Sequence, residues 1–351
     1  SHLAAEPAHA AILKKLGLTP YMDMRFRLGE ATGSSIVADF LDAAIEAAKS
    51  LFAEDAAQTK EAQDEMKAVP YRLLSKSMSD DADDAPDDLA LPSFPTLDTV
   101  AMAASQKRID SLAKPIYSLG RLEELAVRLA GVTGEARPPL GTRRALLIFA
   151  AKEPSARQKR LISAFASHAE APVTLALLDR DSKPAEAFAF GRKIARELAA
   201  DGSLLGLALA AETDEMAREK AARYDEAFRP AKEGTAILGL LQSLPLALQR
   251  EAAALLGAQS AAQSRCLVLL DDPATESVAH LAETLAPTLK PYLLHVQSDY
   301  LALALPASCG VAASLGMRLV DAALHMENDM KTFAETAVAV AADGPGKGRQ
   351  S

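Results

Sequence analysis

The sequence predicts an α/β protein: a three-layer, mostly parallel sheet flanked by helices, with an extra helical segment at the N-terminus. Short apolar runs alternate with longer amphipathic stretches through most of the chain, the pattern of strands joined by crossover helices. Hydrophobic residues make up 49% of the 351, but aromatics only 5% and tryptophan none, so Ala, Leu, Val and Ile must build the core. That composition suits helices packed on a buried parallel sheet.

Ala8–Leu16 reads as the end of a helix, with Gly17 as its stop signal. Pro20–Leu28 alternates apolar residues with Asp23, Arg25 and Arg27, as a short strand or an extended loop would. A turn at Gly29–Gly33 leads into Ser34–Phe52, whose apolar residues recur at helical spacing, with Thr32, Ser34 or Ser35 as N-cap. Glu54–Met66 is polar, alanine-rich and expected to be helical. Ser75–Pro95, with its Asp80–Asp88 acidic run, reads as a solvated linker, since the run lacks the glycine and the carboxylate spacing of a calcium loop. Beyond it the expected strands are Ala145–Ala150, Val173–Leu178, Leu204–Leu209, Cys266–Leu270 and Leu301–Leu305. The expected helices are Thr99–Leu112, Arg121–Leu129, Ala156–Ser167, Ala185–Ala200, Asp214–Tyr224, Ile237–Leu256, Thr275–Leu285 and Ala312–Ala339. The Gly344–Ser351 tail is expected to fray.

The net charge of −9 argues against nucleic-acid binding, which needs a basic face. No apolar run is long enough for a membrane span, so no membrane partner is expected. Two widely separated cysteines, Cys266 and Cys309, fit no metal spacing and point to a reducing, cytoplasmic setting. The chain begins without a methionine or a signal sequence, which reads as a fragment or a processed form.

Two segments carry a more specific signal. The first reads Ser1-His2-Leu3-Ala4-Ala5-Glu6-Pro7-Ala8-His9, followed by Arg27-Leu28-Gly29-Glu30-Ala31-Thr32-Gly33. The second reads Arg108-Ile109-Asp110-Ser111-Leu112-Ala113-Lys114-Pro115, followed by Ser118-Leu119-Gly120-Arg121-Leu122-Glu123-Glu124-Leu125-Ala126. Together they resemble the nicotinate-nucleotide:dimethylbenzimidazole phosphoribosyltransferase family, the first its carboxyl end and the second its amino-terminal helix pair. Their order here is reversed. Leu146–Ala151 resembles the family's first strand, Leu267–Asp271 with Leu281–Pro287 a later strand and helix, and Met330 with Phe333 its last motif. The chain then reads as the end of one copy (1–66), an acidic linker (67–98), a degenerate second copy (99–342) and a tail (343–351). A repeat at an offset of 279 is expected: Asp42-Ala43-Ala44 recurs as Asp321-Ala322-Ala323, Ser35 as Ser314 and Tyr21 as Tyr300.

The resemblance implies displacement of nicotinate from nicotinate mononucleotide by a benzimidazole-type base, giving α-ribazole phosphate for the lower ligand of cobalamin. It requires no cofactor and no metal. Glu30 matches the catalytic base, which takes the azole proton; its ordinary alternative is a first-turn glutamate complementing the helix dipole. Arg27 is a candidate phosphate contact or simply an exposed arginine beside Asp23, and Leu28 and Gly29 match the ring contacts. His2 and His9 look like ligands but have no third partner nearby in sequence, and a structural role is expected. The family's phosphate-contacting serine is Ala4 here, and two motif glycines are Ala8 and Ala31.

At the second copy the position of Glu30 is Cys309, that of Arg27 is Pro306 and that of Asp23 is Ala302. The Ala-Asp-His-Gly after the first strand is Ala151-Lys152-Glu153-Pro154, and no glycine-rich phosphate loop is found. Asp271-Asp272, after a strand, has the form of a functional pair but is expected to cap the helix behind Pro273. Two functions follow as expectations. One is an enzyme with Glu30 as base, forming a homodimer or using the second copy as an internal pseudo-dimer partner; the other is a non-catalytic scaffold or regulatory subunit.

Overall fold

Why the apolar runs are continuous is explained by where they sit. The computed structural model describes residues 2–27, 31–52, 70–75, 89–200, 202–301, 303 and 309–336. Its centre is a parallel sheet of β3 (Tyr71–Ser75), β4 (Arg144–Ala150), β5 (Val173–Leu177), β6 (Leu204–Leu209), β7 (Leu267–Leu270) and β8 (Leu293–His295), in the order β3-β5-β4-β6-β7-β8. Every residue of β6 and β7 is buried, as strands covered on both faces require. The expected three-layer α/β class is therefore observed.

One face carries α5 (Ala156–His168) and α12 (Val311–Asp329). On the opposite side α6 (Pro184–Leu198) packs against α9 (Leu246–Ala258), and α10 (Pro273–Leu285) against α7 (Asp214–Phe228). The α6–α9 crossing depends on two glycines used reciprocally. A Cβ on Gly191 would lie 2.1 Å from the Ala254 carbonyl oxygen, and one on Gly257 2.1 Å from that of Phe188. α3 (Thr99–Ser111) and α4 (Arg121–Thr133) pack together, and α4 also packs on α12.

The N-terminal module is a separate parallel pair, β1 (His2–Ala4) and β2 (Met22–Phe26), with α1 (Pro7–Leu16) between them and α2 (Thr32–Phe52) after them. Gly17 closes α1 in the left-handed conformation, as the stop signal predicted. α2 lies against α5 and reaches α12.

Several expectations are corrected. Tyr71–Ser75, overlapping the expected linker, forms an edge strand on β5, and its exposed Tyr71 and Leu73 explain why it lacks the apolar density of the inner strands. Leu89 and Phe94, also in the expected linker, are buried in the core. Leu301 makes only an isolated antiparallel bridge to Met22, not a strand over Leu301–Leu305, of which residues 302, 304 and 305 lie outside the described set. The helix expected over Ile237–Leu256 breaks into α8 (Ile237–Leu241) and α9, because Pro245 sets the entry to α9 and cannot continue a helix. α12 ends at Asp329, and the chain turns extended at Met330 so that Thr332 can bridge Leu112 and the Lys331 carbonyl can accept the Ala113 N–H. A four-residue helix, α13 (Phe333–Thr336), follows; another, α11 (Val296–Asp299), follows β8. The expected helix at Glu54–Met66, the Asp80–Asp88 run and the tail lie outside the described residues. Among the described residues no helix is long and apolar enough to cross a membrane.

Candidate active site

Strand order reverses at β4. The chain steps from β4 through α5 to β5 on one side, then crosses back through α6 to β6 on the other. The connections leaving β4 and β6 therefore diverge, which is where such sheets bind ligands. A cleft of about 900 Å³ opens there. The 151–155 loop after β4 and the 210–212 loop after β6 form two walls, and Leu51 at the end of α2 lines a third. Four cations (Lys152, Arg157, Arg180, Lys220) face two acids, Glu153 and Glu212. Much of that charge is spent internally. Lys152 pairs with Glu212 across the cleft and Lys159 with Glu153. Lys220 lies 2.9 Å from the buried Glu251.

The N-terminus of α5 in this cleft is also occupied by its own sequence. The Ser155 hydroxyl accepts the Gln158 N–H, while the Gln158 side chain accepts the Ser155 N–H and donates to the Ala211 carbonyl at 2.9 Å. This capping box closes the first turn and ties the two walls together.

The described flanks of the segment carrying Glu30 lie elsewhere. Leu28, Gly29 and Glu30 are outside the described residues, but both flanks are described. Arg27 is exposed at the end of β2, and its backbone N–H donates to the Ser118 carbonyl at 2.9 Å. Asp23 turns its carboxylate to the Arg25 N–H at 3.2 Å. β2 lies directly on Gly120, whose Cβ would be 2.2 Å from the Met24 carbonyl oxygen, so only glycine lets the strand seat here. The structure thus brings Arg27 onto the 115–120 loop, the stretch that resembles the family's amino-terminal motif. α2 rises about 28 Å between Thr32 and Leu51. The flank of Glu30 and the switch-point cleft are at opposite ends of that helix.

His2 and His9 are built into the module. The His9 Nδ1 accepts the Ala4 N–H at 2.9 Å, and His2 packs edge-on against His9 and Phe26. Burial lowers the pKa of His2, with the neighbouring His9 adding to the effect. Their role is structural.

Cys309, which the expected repeat aligns with Glu30, is buried with φ +91° before α12. Gly310 caps α12 at φ +78°. The Asp271 carboxylate, from the end of β7, takes the N–H groups of Gly310 at 2.8 Å and Ala313 at 3.0 Å. The helix N-terminus that could have received an anion is thereby filled from within. Asp272 takes the N–H groups of Ala274 and Thr275 and so caps α10 as expected, and also that of Leu209. Burial pushes both aspartic acids well above the ordinary carboxylate range, and the charge of Asp272 adds to the rise for Asp271.

A geometric regularity links the two ends. α2 begins at Thr32 and α12 at Val311, the same offset as Ala31 (φ +61°) and Gly310 (φ +78°), the left-handed residues before them. Asp39 and Arg318, 279 positions apart, form a two-point ion pair at 3.1 and 3.0 Å. Met22 and Leu301, at that same offset, bridge in antiparallel fashion, and the Asp23 N–H donates to the Tyr300 carbonyl beside them. Equivalent positions meeting each other is the signature of a two-fold contact. Arg318 also reaches Asp321 at 3.0 Å, which is bound at two points by Arg144. Sequence reasoning missed this network because Asp39 and Arg318 differ in type; only their complementary charge at the repeat offset could have signalled it.

A doubly wound parallel sheet with a charged cleft at its switch point defines a small-ligand-binding class of α/β protein. A phosphoribosyltransferase family model matches residues 1–59 and 94–243, more than half of the chain, and the chain belongs to that family. It is 51% identical over 69 residues to the nicotinate-nucleotide–dimethylbenzimidazole phosphoribosyltransferase of Chloroflexus aggregans, a match covering 20% of this chain and 19% of that protein. Against the protein of the same name from a Roseiflexus species it is 46% identical over 83 residues, covering 24% and 23%. The matched stretches thus span about a fifth of these relatives' length. The crystal structure of the enzyme of that name from Thermus thermophilus superimposes with a TM-score of 0.56 at 23% identity, covering 70% of this chain and all of that one, a likeness of fold.

Proposed function

We propose that the chain joins the carboxyl-terminal part of one phosphoribosyltransferase copy to a degenerate second copy, and that its chemistry is formation of α-ribazole phosphate from nicotinate mononucleotide and a benzimidazole-type base. The observation that carries this reading is the offset of 279 at which α2 and α12 start and at which Asp39 meets Arg318. It supports a duplication whose two copies of the terminal motif face each other within one chain, as an internal pseudo-dimer.

In this reading Glu30 is the general base. The leaving pyridinium needs no proton, whereas the attacking azole must lose one, so one carboxylate within about 3 Å of the ring N–H suffices. Leu28 and Gly29 would contact the ring, and Arg27 the phosphate. The degenerate copy supplies the 115–120 loop on which β2 is seated. The cytoplasm is the proposed setting, consistent with Cys266 and Cys309 both being thiols.

Specific observations favour a scaffold or regulatory role for the second copy: Cys309 at the base position, Asp271 closing the α12 N-terminus, and an ion pair spanning the switch-point cleft. The test is nicotinate release from nicotinate mononucleotide with added dimethylbenzimidazole. Turnover that falls about 100-fold or more in Glu30→Gln supports the enzyme reading. Turnover that survives the substitution removes Glu30 from the chemistry, and no turnover in the parent chain favours the scaffold.

A further inference from the structure

Away from both places, where α10 packs beside the edge strand β8, three potential ligands converge. His280 and Glu283 lie one helical turn apart on α10, and His295 is the last residue of β8. The Glu283 carboxylate is 2.8 Å from the His295 Nε2 and 3.6 Å from the His280 Nδ1. All three ligand atoms lie within 4.8 Å of one another. The two imidazoles are stacked, 4.6 Å between centroids and 12° from parallel, with their edges turned to the same carboxylate. We propose that His280, Glu283 and His295 form a binding site for a divalent transition-metal ion of the zinc type.

The donor set selects the ion. Two imidazole nitrogens and one carboxylate oxygen suit Zn²⁺, Co²⁺ or Ni²⁺; Ca²⁺ and Mg²⁺ require more oxygen ligands than this cluster offers. Ligand bonds of about 2.0–2.2 Å in a tetrahedron place ligand atoms about 3.3–3.5 Å apart. The observed 2.8 and 3.6 Å, to the two oxygens of Glu283, straddle that separation, and rotation of the exposed His280 ring out of its stack with His295 would aim both nitrogens at one ion.

The position fits a staple with an open corner. His295 is buried and His280 is 62% exposed, so three protein ligands leave the fourth position to water. Glu276, one turn earlier on α10, accepts from Ser298 at 3.3 and 3.4 Å and adds negative charge beside the histidines. The Nδ1 of His295 is buried without a hydrogen-bond partner. A metal-binding imidazole normally donates its second N–H to such a partner, and its lack costs about 10–100-fold in affinity. The site therefore binds more weakly than a fully supported zinc centre. Bound metal would tie the sheet's edge strand to α10.

The experiment uses the whole chain, stripped with a chelator and titrated with Co²⁺ while the visible d–d bands are followed, then with Zn²⁺ as competitor. One Co²⁺ per chain with the intense bands of tetrahedral coordination is expected. His280→Ala, a surface change that leaves the fold intact by circular dichroism, is expected to weaken binding at least about 10-fold. Glu283→Gln removes a ligand while keeping its shape and is expected to weaken it further, whereas His325→Ala, in an exposed pair with Asp329, leaves it unchanged. Absence of stoichiometric binding, or binding that is indifferent to His280→Ala and lost in His9→Ala, overturns the proposal.

Discussion

Ala31 holds a conformation that suits glycine. Its φ of +61° costs a residue with a Cβ about 1–2 kcal/mol, and Gly310 occupies the equivalent position before α12 without that cost. Ala31→Gly is therefore expected to stabilise the protein by about 0.5–1 kcal/mol, the gain being reduced by glycine's greater freedom when unfolded. Urea unfolding checks it, and a loss of stability contradicts it. Lys114 and Glu123 form a buried pair at 2.8 Å, with side chains 2% and 1% exposed. Glu123 also accepts the Leu119 N–H at 2.8 Å, which fixes the turn into α4. Lys114→Met strands that carboxylate and is expected to cost about 3–5 kcal/mol, with most of the loss recovered when Glu123→Gln is added. A double variant as unstable as the single one contradicts the pairing. Both residues belong to the family-like motif in the sequence, but nothing there distinguished a catalytic acid from a buried structural one.

At the level of elements, α2 docks on α5 and α12 through its buried apolar face (Ile36, Val37, Phe40, Ala43 and Ala47), and one charge pair adds to that contact. Its outer face leaves Leu41 and Ile45 half exposed, while Asp39 binds Arg318 and lies 3.3 Å from His168. The pair is about 30% exposed on each side, so solvent screening limits it to about 1 kcal/mol. A double-mutant cycle of Asp39→Ala and Arg318→Ala is expected to give a coupling of about 0.5–1 kcal/mol, measured by denaturant unfolding. Zero coupling contradicts this mode of docking. The inner strands and most helices were legible, because β6 and β7 are buried on both faces and so read as unbroken apolar runs. β3 and β8 were missed for the opposite reason: each lies on an edge, one half exposed and the other three residues long. Leu301–Leu305 has a strand's composition, yet Leu301 finds only Met22 as a bridge partner among the described residues.

For the whole molecule, pH sets two opposing terms. Asp271 and Asp272 hold their protons more tightly when buried in the fold than in the unfolded chain. Their contribution is complete below the ordinary carboxylate range and is lost as pH rises toward and past neutrality. Glu283 behaves in the opposite way: held at about 2 against an ordinary 4.5, it stabilises above the ordinary value, and that is lost as pH falls toward 2. Melting temperature is therefore expected to peak near pH 4 to 5 and to fall between about pH 5 and 7. Scanning calorimetry across that range checks it; a rise over the interval contradicts the assignment.

The proposed duplication was legible only as a thread of identities at one offset. It gains weight from positions that are not identical, since Asp39 against Arg318 is a pair of opposite charges and Met22 against Leu301 a pair of unlike apolar residues. The segment at Leu28, Gly29 and Glu30 lies outside the described residues, so its chemistry rests on substitution. In the proposed function the working base belongs to one copy, and an inert thiol takes the equivalent place in the other. The direct measurement is nicotinate release by Glu30→Gln and Cys309→Ala side by side with the parent protein. A loss of about 100-fold or more in the first and parental turnover in the second is predicted. Full turnover in Glu30→Gln, or its loss in a folded Cys309→Ala, would contradict the assignment.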